Sequence, residues 1–331
     1  MLPSSTIGQD FEQNEPDPVL SEAQFPHRRI LHPLGFGLDL SSNSKHVIEA
    51  AVESWGAYEK AFDHPPVRVQ LGVQGDDPAL PARSTFRSRG HLMSMIATPH
   101  NFVMTDFNTA SAFGWVTAPV AADYPVLRYR FLMPTVLMLL QQQSLATIHS
   151  ALIARNGRGV VLFGESNSGK STLAYACARA GWTFIADDAT YLLRDEPGRR
   201  AIGASHSVHF RHDAHEFFPE LAGRAPGVRP NGKVGIEVFT RELPIATALG
   251  CEIDHFVHLN RFEPGPAHLA PFPVDRLRAW CEQTVVYGSD EVRAAQLRCY
   301  DRLEGAGIWE LRYRRLDDAI ARLEQLVDSG G

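Results

Sequence analysis

Lysine is scarce in this sequence: Lys45, Lys60, Lys170 and Lys233 stand alone among 331 residues, against 28 arginines. A lysine that falls inside a motif is therefore not filler. Net positive charge is missing as well, since 32 basic and 38 acidic residues leave −6. That balance removes the electrostatic footprint expected for a nucleic acid or an anionic membrane as partner, and the basic clusters at Arg199-Arg200 and Arg312 to Arg315 are short. Cysteine is limited to Cys177, Cys251, Cys281 and Cys299, far apart and without Cys-x-x-Cys. Neither a zinc ribbon nor a disulfide framework is indicated, and the four read as buried thiols. Long apolar runs are lacking too. The longest, Phe131 to Leu140, is about half of the ~20 residues that a membrane-spanning helix needs, so it reads as a buried helix. Before Arg28 the chain carries Asp10, Glu12, Glu15 and Asp17, the opposite of a secretory or mitochondrial leader, which places the protein in the cytoplasm.

What is present is 44% apolar residues, enough to bury a core across one large or two modest domains. Residues 1–26, rich in Pro, Glu and Gln, read as a flexible leader. Residues 27–130 read as an α+β accessory domain. In it, Ser42 or Ser44 caps a helix running to about Phe62, Val67, Val69 and Leu71 follow at strand spacing, and short strand-like runs from Phe86 to Val116 suggest a mainly antiparallel layer. Residues 131–331 hold the informative motifs, after a helix over Met133 to Thr147 with Pro134 in its first turn.

Gly159 to Phe163 is an apolar run of β formers. It leads into Gly164-Glu165-Ser166-Asn167-Ser168-Gly169-Lys170-Ser171, which fits Gly-x-x-x-x-Gly-Lys-[Ser/Thr] at every position, and Thr172 then opens a helix closed by Gly181. This composition yields roughly 0.003 such matches by chance. The chemistry explains the pattern: glycines let backbone N–H groups curl around phosphate oxygens, and the helix N-terminus adds positive potential. Lys170 reaches the outer phosphates, and Ser171 offers its hydroxyl to Mg²⁺. ATP and Mg²⁺ are the expected cofactors.

Trp182 to Ala186 forms an apolar strand that ends in Asp187 and Asp188. Carboxylates at a strand end beside a phosphate loop can support a metal ion or take a proton from an attacking hydroxyl. Neighbours on a strand face opposite ways, so the two need not share one role. The stretch from His149 to Asp188 resembles the catalytic core of bacterial HPr kinase/phosphorylase and its relatives, including the HPr-kinase-like enzymes that act on lasso-peptide precursors. The shared series is a His, a strand pair, the phosphate loop, a helix ending near Gly, and Ala-Asp-Asp. The resemblance implies an α/β chain, α+β overall, with a phosphate-loop kinase core of the HPr kinase and phosphoenolpyruvate carboxykinase type behind the N-terminal accessory domain. It implies further that Lys170 holds the nucleotide phosphates, Asp187 is the base for a serine hydroxyl, Asp188 supports the metal and His149 stands beside the carboxylates. Thr172 departs from the family, where an acidic residue follows Gly-Lys-Ser, and the downstream glycine-rich signature is missing, which separates the chain from regulation of HPr itself.

Downstream, His206, His209, His212 and His215 recur every third residue. That spacing puts His206 and His209 on opposite faces of a strand, so the segment reads as packing around Phe217 and Phe218 rather than as a metal site. Arg211 and the turn Arg229-Pro230-Asn231-Gly232-Lys233 offer Arg211, Arg229, Asn231 and Lys233 as a clamp for a transferring phosphoryl group, ahead of a strand through Val234, Ile236 and Val238. The tail from Pro273 reads as packing. The sequence thus points to an ATP- and Mg²⁺-dependent serine kinase acting on a peptide or small protein, with a homo-oligomer left open. A small-molecule alcohol kinase on the same scaffold, marked by a closed pocket beside Asp187, and a non-catalytic ATP-dependent switch are the alternatives.

Overall fold

A computed structural model describes residues 24–79, 84–228, 234–261, 265–284 and 289–329. The first sheet is built from β1 (His27–Leu31), β2 (Leu38–Ser42), β3 (Val67–Val73), β4 (Thr85–Arg89), β5 (Leu92–Thr98), β6 (Asn101–Asp106) and β7 (Ser111–Val116). Its order is β1-β2-β3-β7-β6-β5-β4. The β4–β7 end is an antiparallel meander, while the β2–β3 and β3–β7 pairs are parallel. Parallel strands need a crossover, and α1 (Lys45–Trp55) supplies it between β2 and β3. This helix begins after Ser44 as expected but ends at Gly56, short of Phe62; glycine is a poor helix former, and the chain must still travel to β3.

The next segment joins the two sheets. After α2 (Ala118–Ala122) and α3 (Tyr124–Leu127) comes a π-helical turn, Arg128–Leu132, and then α4 (Met133–Gln143). Asp123 caps α3 by accepting the Val126 N–H at 3.1 Å. The π turn has a cause in the sequence: Pro134 lacks an N–H and its ring crowds the carbonyl of Arg130, so the turn widens and the Met133 N–H bonds Arg128 O. Helix α4 stops at Gln143, before the expected Thr147, because Leu145–Ile148 is drawn out as β8. Phe131, Val136 and Leu140 bury into the same cluster as Val67, Val69 and Leu71. Residues on both sides of position 130 thus pack against the first sheet.

The second sheet contains β8, β9 (Ser150–Arg155), β10 (Arg158–Phe163), β11 (Thr183–Ala186), β12 (Thr190–Leu193) and β13 (Arg200–Gly203). Between β10 and β11 runs α5 (Lys170–Arg179). Strands β14 (Ser207–Arg211), β15 (Gly227–Val228) and β16 (Val234–Phe239) form a small sheet of their own. The chain re-enters the large sheet through β17 (Ala246–Thr247) and β18 (Gly250–Arg261), followed by β19 (His268–Pro271), α6 (Val274–Glu282), α7 (Asp290–Asp301), β20 (Gly307–Tyr313) and α8 (Leu316–Asp328). At the centre lies β10, antiparallel to β9 and parallel to β18. Its Gly159–Phe163 stretch is buried throughout, which explains a continuous apolar run in place of alternation. No helix among the described residues is long and apolar enough to cross a membrane.

One side chain links α1, which crosses over the first sheet, to the small three-stranded sheet. Arg128, only 2% exposed, donates from Nε to Ser54 Oγ (2.8 Å), from Nη1 to Glu53 Oε2 (3.1 Å) and from Nη2 to Glu237 Oε1 (2.9 Å). Glu53 and Ser54 lie on α1, Glu237 on β16. Replacing Arg128 by Leu leaves two carboxylates facing each other without their cation and should cost about 3–5 kcal/mol. Urea denaturation of the variant reads the loss directly; an unchanged midpoint would show that the joint is not held by this ion pair.

Candidate functional site

The phosphate loop leaves β10 at Phe163 and enters α5 at Lys170. Gly164 (φ 146°), Asn167 (φ 70°) and Gly169 (φ 95°) take left-handed or otherwise restricted backbone conformations, which curl the chain around a central space. Lys170 is 7% exposed, and its ammonium donates to the carbonyls of Gly164 (2.7 Å) and Glu165 (3.2 Å) in the same loop. Two buried hydroxyls, Ser168 Oγ and Tyr313 Oη, have no hydrogen-bond partner among the described residues. Each stands 3.1 Å from where a Cβ would fall, at Gly164 and Gly169 respectively. Burial pushes the Tyr313 phenol up to about 12, so it keeps its proton and stays a donor. Curled backbone, a buried cation and two waiting hydroxyls fit the phosphates of a nucleotide.

Strand β11 delivers the carboxylates next to this loop. Ser171 Oγ lies 3.4 Å from the Asp187 carbonyl oxygen. Asp187 is 5% exposed, and its Oδ2 accepts the backbone N–H of His209 at 2.6 Å. The Asp188 side chain is 77% exposed; the two aspartates follow β11 in a bend instead of alternating on a strand as expected, and both line one cavity. His149 joins this second carboxylate: its Nδ1 lies 3.0 Å from the Asp188 carbonyl oxygen and 3.7 Å from Oδ1, and its ring stacks on Trp280. The Ser171 hydroxyl thus meets the main chain of a segment that carries one buried and one exposed carboxylate, the first suited to accept a proton and the second to face a hydrated ion.

Behind Asp187 stands a chain of polar groups that reaches back to Arg128. His209 Nδ1 is 3.4 Å from Asp187 Oδ2, and its Nε2 is 2.8 Å from the Tyr129 hydroxyl. Tyr129 gives its proton to Glu237 Oε1 at 2.6 Å. Burial pushes the Glu237 carboxyl up, but Arg128, the Tyr129 hydroxyl and His209 together outweigh it and hold the group below its ordinary value. The expectation that His206 and His209 face apart is corrected here. His206 precedes β14 instead of lying within it, and both histidines line one cavity. His206 bonds the Tyr58 hydroxyl at 2.9 Å, and burial lowers its pKa to about 4, so it is neutral at physiological pH.

Among the remaining expected residues, Arg211 is exposed, with Nη1 3.5 Å from Asn167 Oδ1, which puts it at the loop. Arg229, Asn231 and Lys233 fall outside the described residues. The tail does more than pack. Trp280 of α6 supports His149, Tyr313 of β20 stands at Gly169, and Arg261 at the end of β18 lies 3.6 Å from the same Gly169 position. No motif announces these residues; Arg261 and Tyr313 arrive because β18 and β20 run parallel to β10 and end beside its loop, and Trp280 arrives on α6. On the far side of Asp187 a cavity of about 490 Å³ opens, bounded by Phe86, Met133, Leu137, Tyr191 and the two histidines.

No family model matches this chain, and no curated protein matches it. Among solved structures it is similar to the HPr(Ser) kinase/phosphatase from Coxiella burnetii, at 14% identity and a TM-score of 0.29, over 56% of this chain and 99% of that one.

Replacing Lys170 by Ala should weaken ATP·Mg²⁺ binding by about 2–4 kcal/mol while the fold persists. Calorimetry on folded protein checks this, and equal affinity in the variant would remove the phosphate-loop assignment. Glu237 gives a second test through pH. Because its folded pKa is depressed, its stabilisation is present above the ordinary value of 4.5 and lost as pH falls through the folded value. Wild type should be more stable than Glu237→Gln at pH 7, with the gap closing below about pH 4.5 in urea melts; a gap that does not change with pH would contradict the ion pair.

Proposed function

We propose that this chain is an ATP- and Mg²⁺-dependent kinase that transfers the γ-phosphoryl group to a hydroxyl, the acceptor being a serine of a peptide or small protein. The observation that carries this reading is the meeting of two elements: Ser171, which follows the phosphate loop, has its hydroxyl 3.4 Å from the backbone carbonyl oxygen of Asp187, the residue whose buried carboxylate is held by the His209 N–H. A phosphate loop alone binds nucleotide. A buried, oriented carboxylate beside its outer end adds a place for the acceptor's proton.

In this mechanism Lys170 leaves its loop carbonyls for the phosphate oxygens, joined by the loop N–H groups and the hydroxyls of Ser168 and Tyr313. Ser171 and Asp188 are the residues offered to Mg²⁺, which when bound offsets the charge of the phosphates. The His209 N–H holds Asp187 Oδ2, leaving Oδ1 to receive the proton. As the hydroxyl oxygen bonds to the γ-phosphorus, its proton passes to Asp187, and the bond from that phosphorus to the bridging oxygen breaks with its electron pair leaving on ADP. Arg211, beside Asn167, is in position to steady the oxygens of the group in transfer. The protein's contribution is position and electrostatics.

A second reading, a small-molecule alcohol kinase, is favoured by one observation: the cavity beside Asp187, about 490 Å³, falls within the ~300–1,000 Å³ range of small-ligand sites. In both readings Asp187→Asn should lower phosphoryl transfer by ~10²–10⁴ with little change in nucleotide affinity. Asp188→Asn should instead raise the Mg²⁺ concentration needed for half-maximal rate. Exchanged phenotypes would reverse the two roles, and retained transfer in both variants would end the kinase reading.

A further inference from the structure

The cavity lies on one particular side of Asp187. Asp187, Asp188 and His209 line it, whereas no residue of the phosphate loop does. A nucleotide seated in the loop has its outer phosphate toward Ser171 and Asp187, so the space beyond Asp187 is on the acceptor's side. Its apolar walls come from both sheets, Phe86 on β4, Met133, Pro134 and Leu137 on α4, and Tyr191 and Ala204 from the second sheet and its flank, with Arg130, His206 and His209 among the polar residues of the lining. Val103, Met95 and Phe86 are directly paired across β6, β5 and β4, so they form one row on one face. The first two are buried at 3%, while Phe86, the last of the row, is 44% exposed at the cavity. An apolar occupant would complete the row.

We propose that this cavity is an acceptor subsite that takes an apolar or aromatic group carried next to the reacting hydroxyl, for instance the large side chain flanking a serine. The inference rests on the kinase reading for the hydroxyl at Asp187; the place of the apolar group rests on the cavity itself. Against Phe86, Met133 and Leu137 a polar flanking group would lose its water, whereas an apolar group gains by burial. The first sheet thereby acquires a function, since it supplies a wall of the subsite. Arg128 and Tyr129, which bond Glu237 on β16, fix that wall relative to Asp187.

The test uses the full chain with two probes, acetyl-Phe-Ser-Phe-amide and acetyl-Gly-Ser-Gly-amide, followed by saturation-transfer NMR for binding and mass spectrometry for transfer from ATP·Mg²⁺. The Phe-flanked peptide should bind at least about tenfold more tightly. Phe86→Asp, at an exposed edge-strand position, and Leu137→Glu should each abolish that preference while leaving ATP·Mg²⁺ affinity unchanged. Equal binding of the two peptides, absence of binding by both, a preference kept in both variants, or displacement of the peptide by adenosine would each overturn the subsite. A Phe-flanked peptide that binds with this pattern but gains no phosphate supports the subsite and ends the kinase reading; phosphorylation of both peptides with equal efficiency does the reverse. A parallel arm with 3-phenylpropan-1-ol distinguishes the source of the apolar group: its phosphorylation, lost in the same variants, supports the subsite with a small alcohol as occupant.

Discussion

A buried guanidinium ties the N-terminal helix α1 to the small sheet that orients the candidate base. Arg128 must place all its donors because it has almost no contact with water, and its partners lie on α1 and on β16. The carboxylate it holds on β16, Glu237, accepts from Tyr129, and Tyr129 in turn meets His209, the residue whose backbone orients Asp187. The candidate base is therefore positioned by a chain that begins in the N-terminal half of the molecule. The π turn explains how neighbouring residues can share this task. Pro134 forbids a regular turn ahead of α4, and the widened turn presents Arg128 and Tyr129 to the same Glu237 oxygen.

Two kinds of readiness meet at the candidate site. The phosphate loop is curled and its lysine is buried, with carbonyls of its own loop standing in for anions. Asp187 is buried and tethered by one oxygen, while Asp188 on the next residue faces solvent beside His149. This split arises in the bend just past β11, where the His209 N–H tethers Asp187 and Asp188 is left to solvent. It gives two chemically identical groups different surroundings, and hence different uses.

The legible part of the chain was the part in which one short segment dictates its own conformation. Gly164 and Gly169 announce a phosphate loop because only such residues accept its backbone angles without strain, and the run before them is apolar because β10 is buried on every side. Asp187 and Asp188 could be placed at a strand end for the same local reason. The sequence alone thus determined the loop, its lysine, the helix behind it and the carboxylate pair. Helix ends were less legible: α4 gives way to β8 at Leu145 because that segment finds a pairing partner in β12, more than forty residues away.

Tertiary structure alone decided the rest. Arg261 and Tyr313 reach the site because β18 pairs in parallel with β10 and β20 with β18, and Trp280 reaches it from α6; none of this leaves a mark on the three residues. His209 is one of four histidines at equal spacing in the sequence, and nothing local separates it from His212 or His215; its contact with Asp187 is made by β14 crossing β11's end. The cavity beside Asp187 belongs to neither sheet by itself. Motifs record what a segment must do to its own backbone, whereas a wall shared by Phe86, Leu137 and Tyr191 exists only once distant segments have packed, and packing asks of each residue no more than that it be apolar and of suitable size.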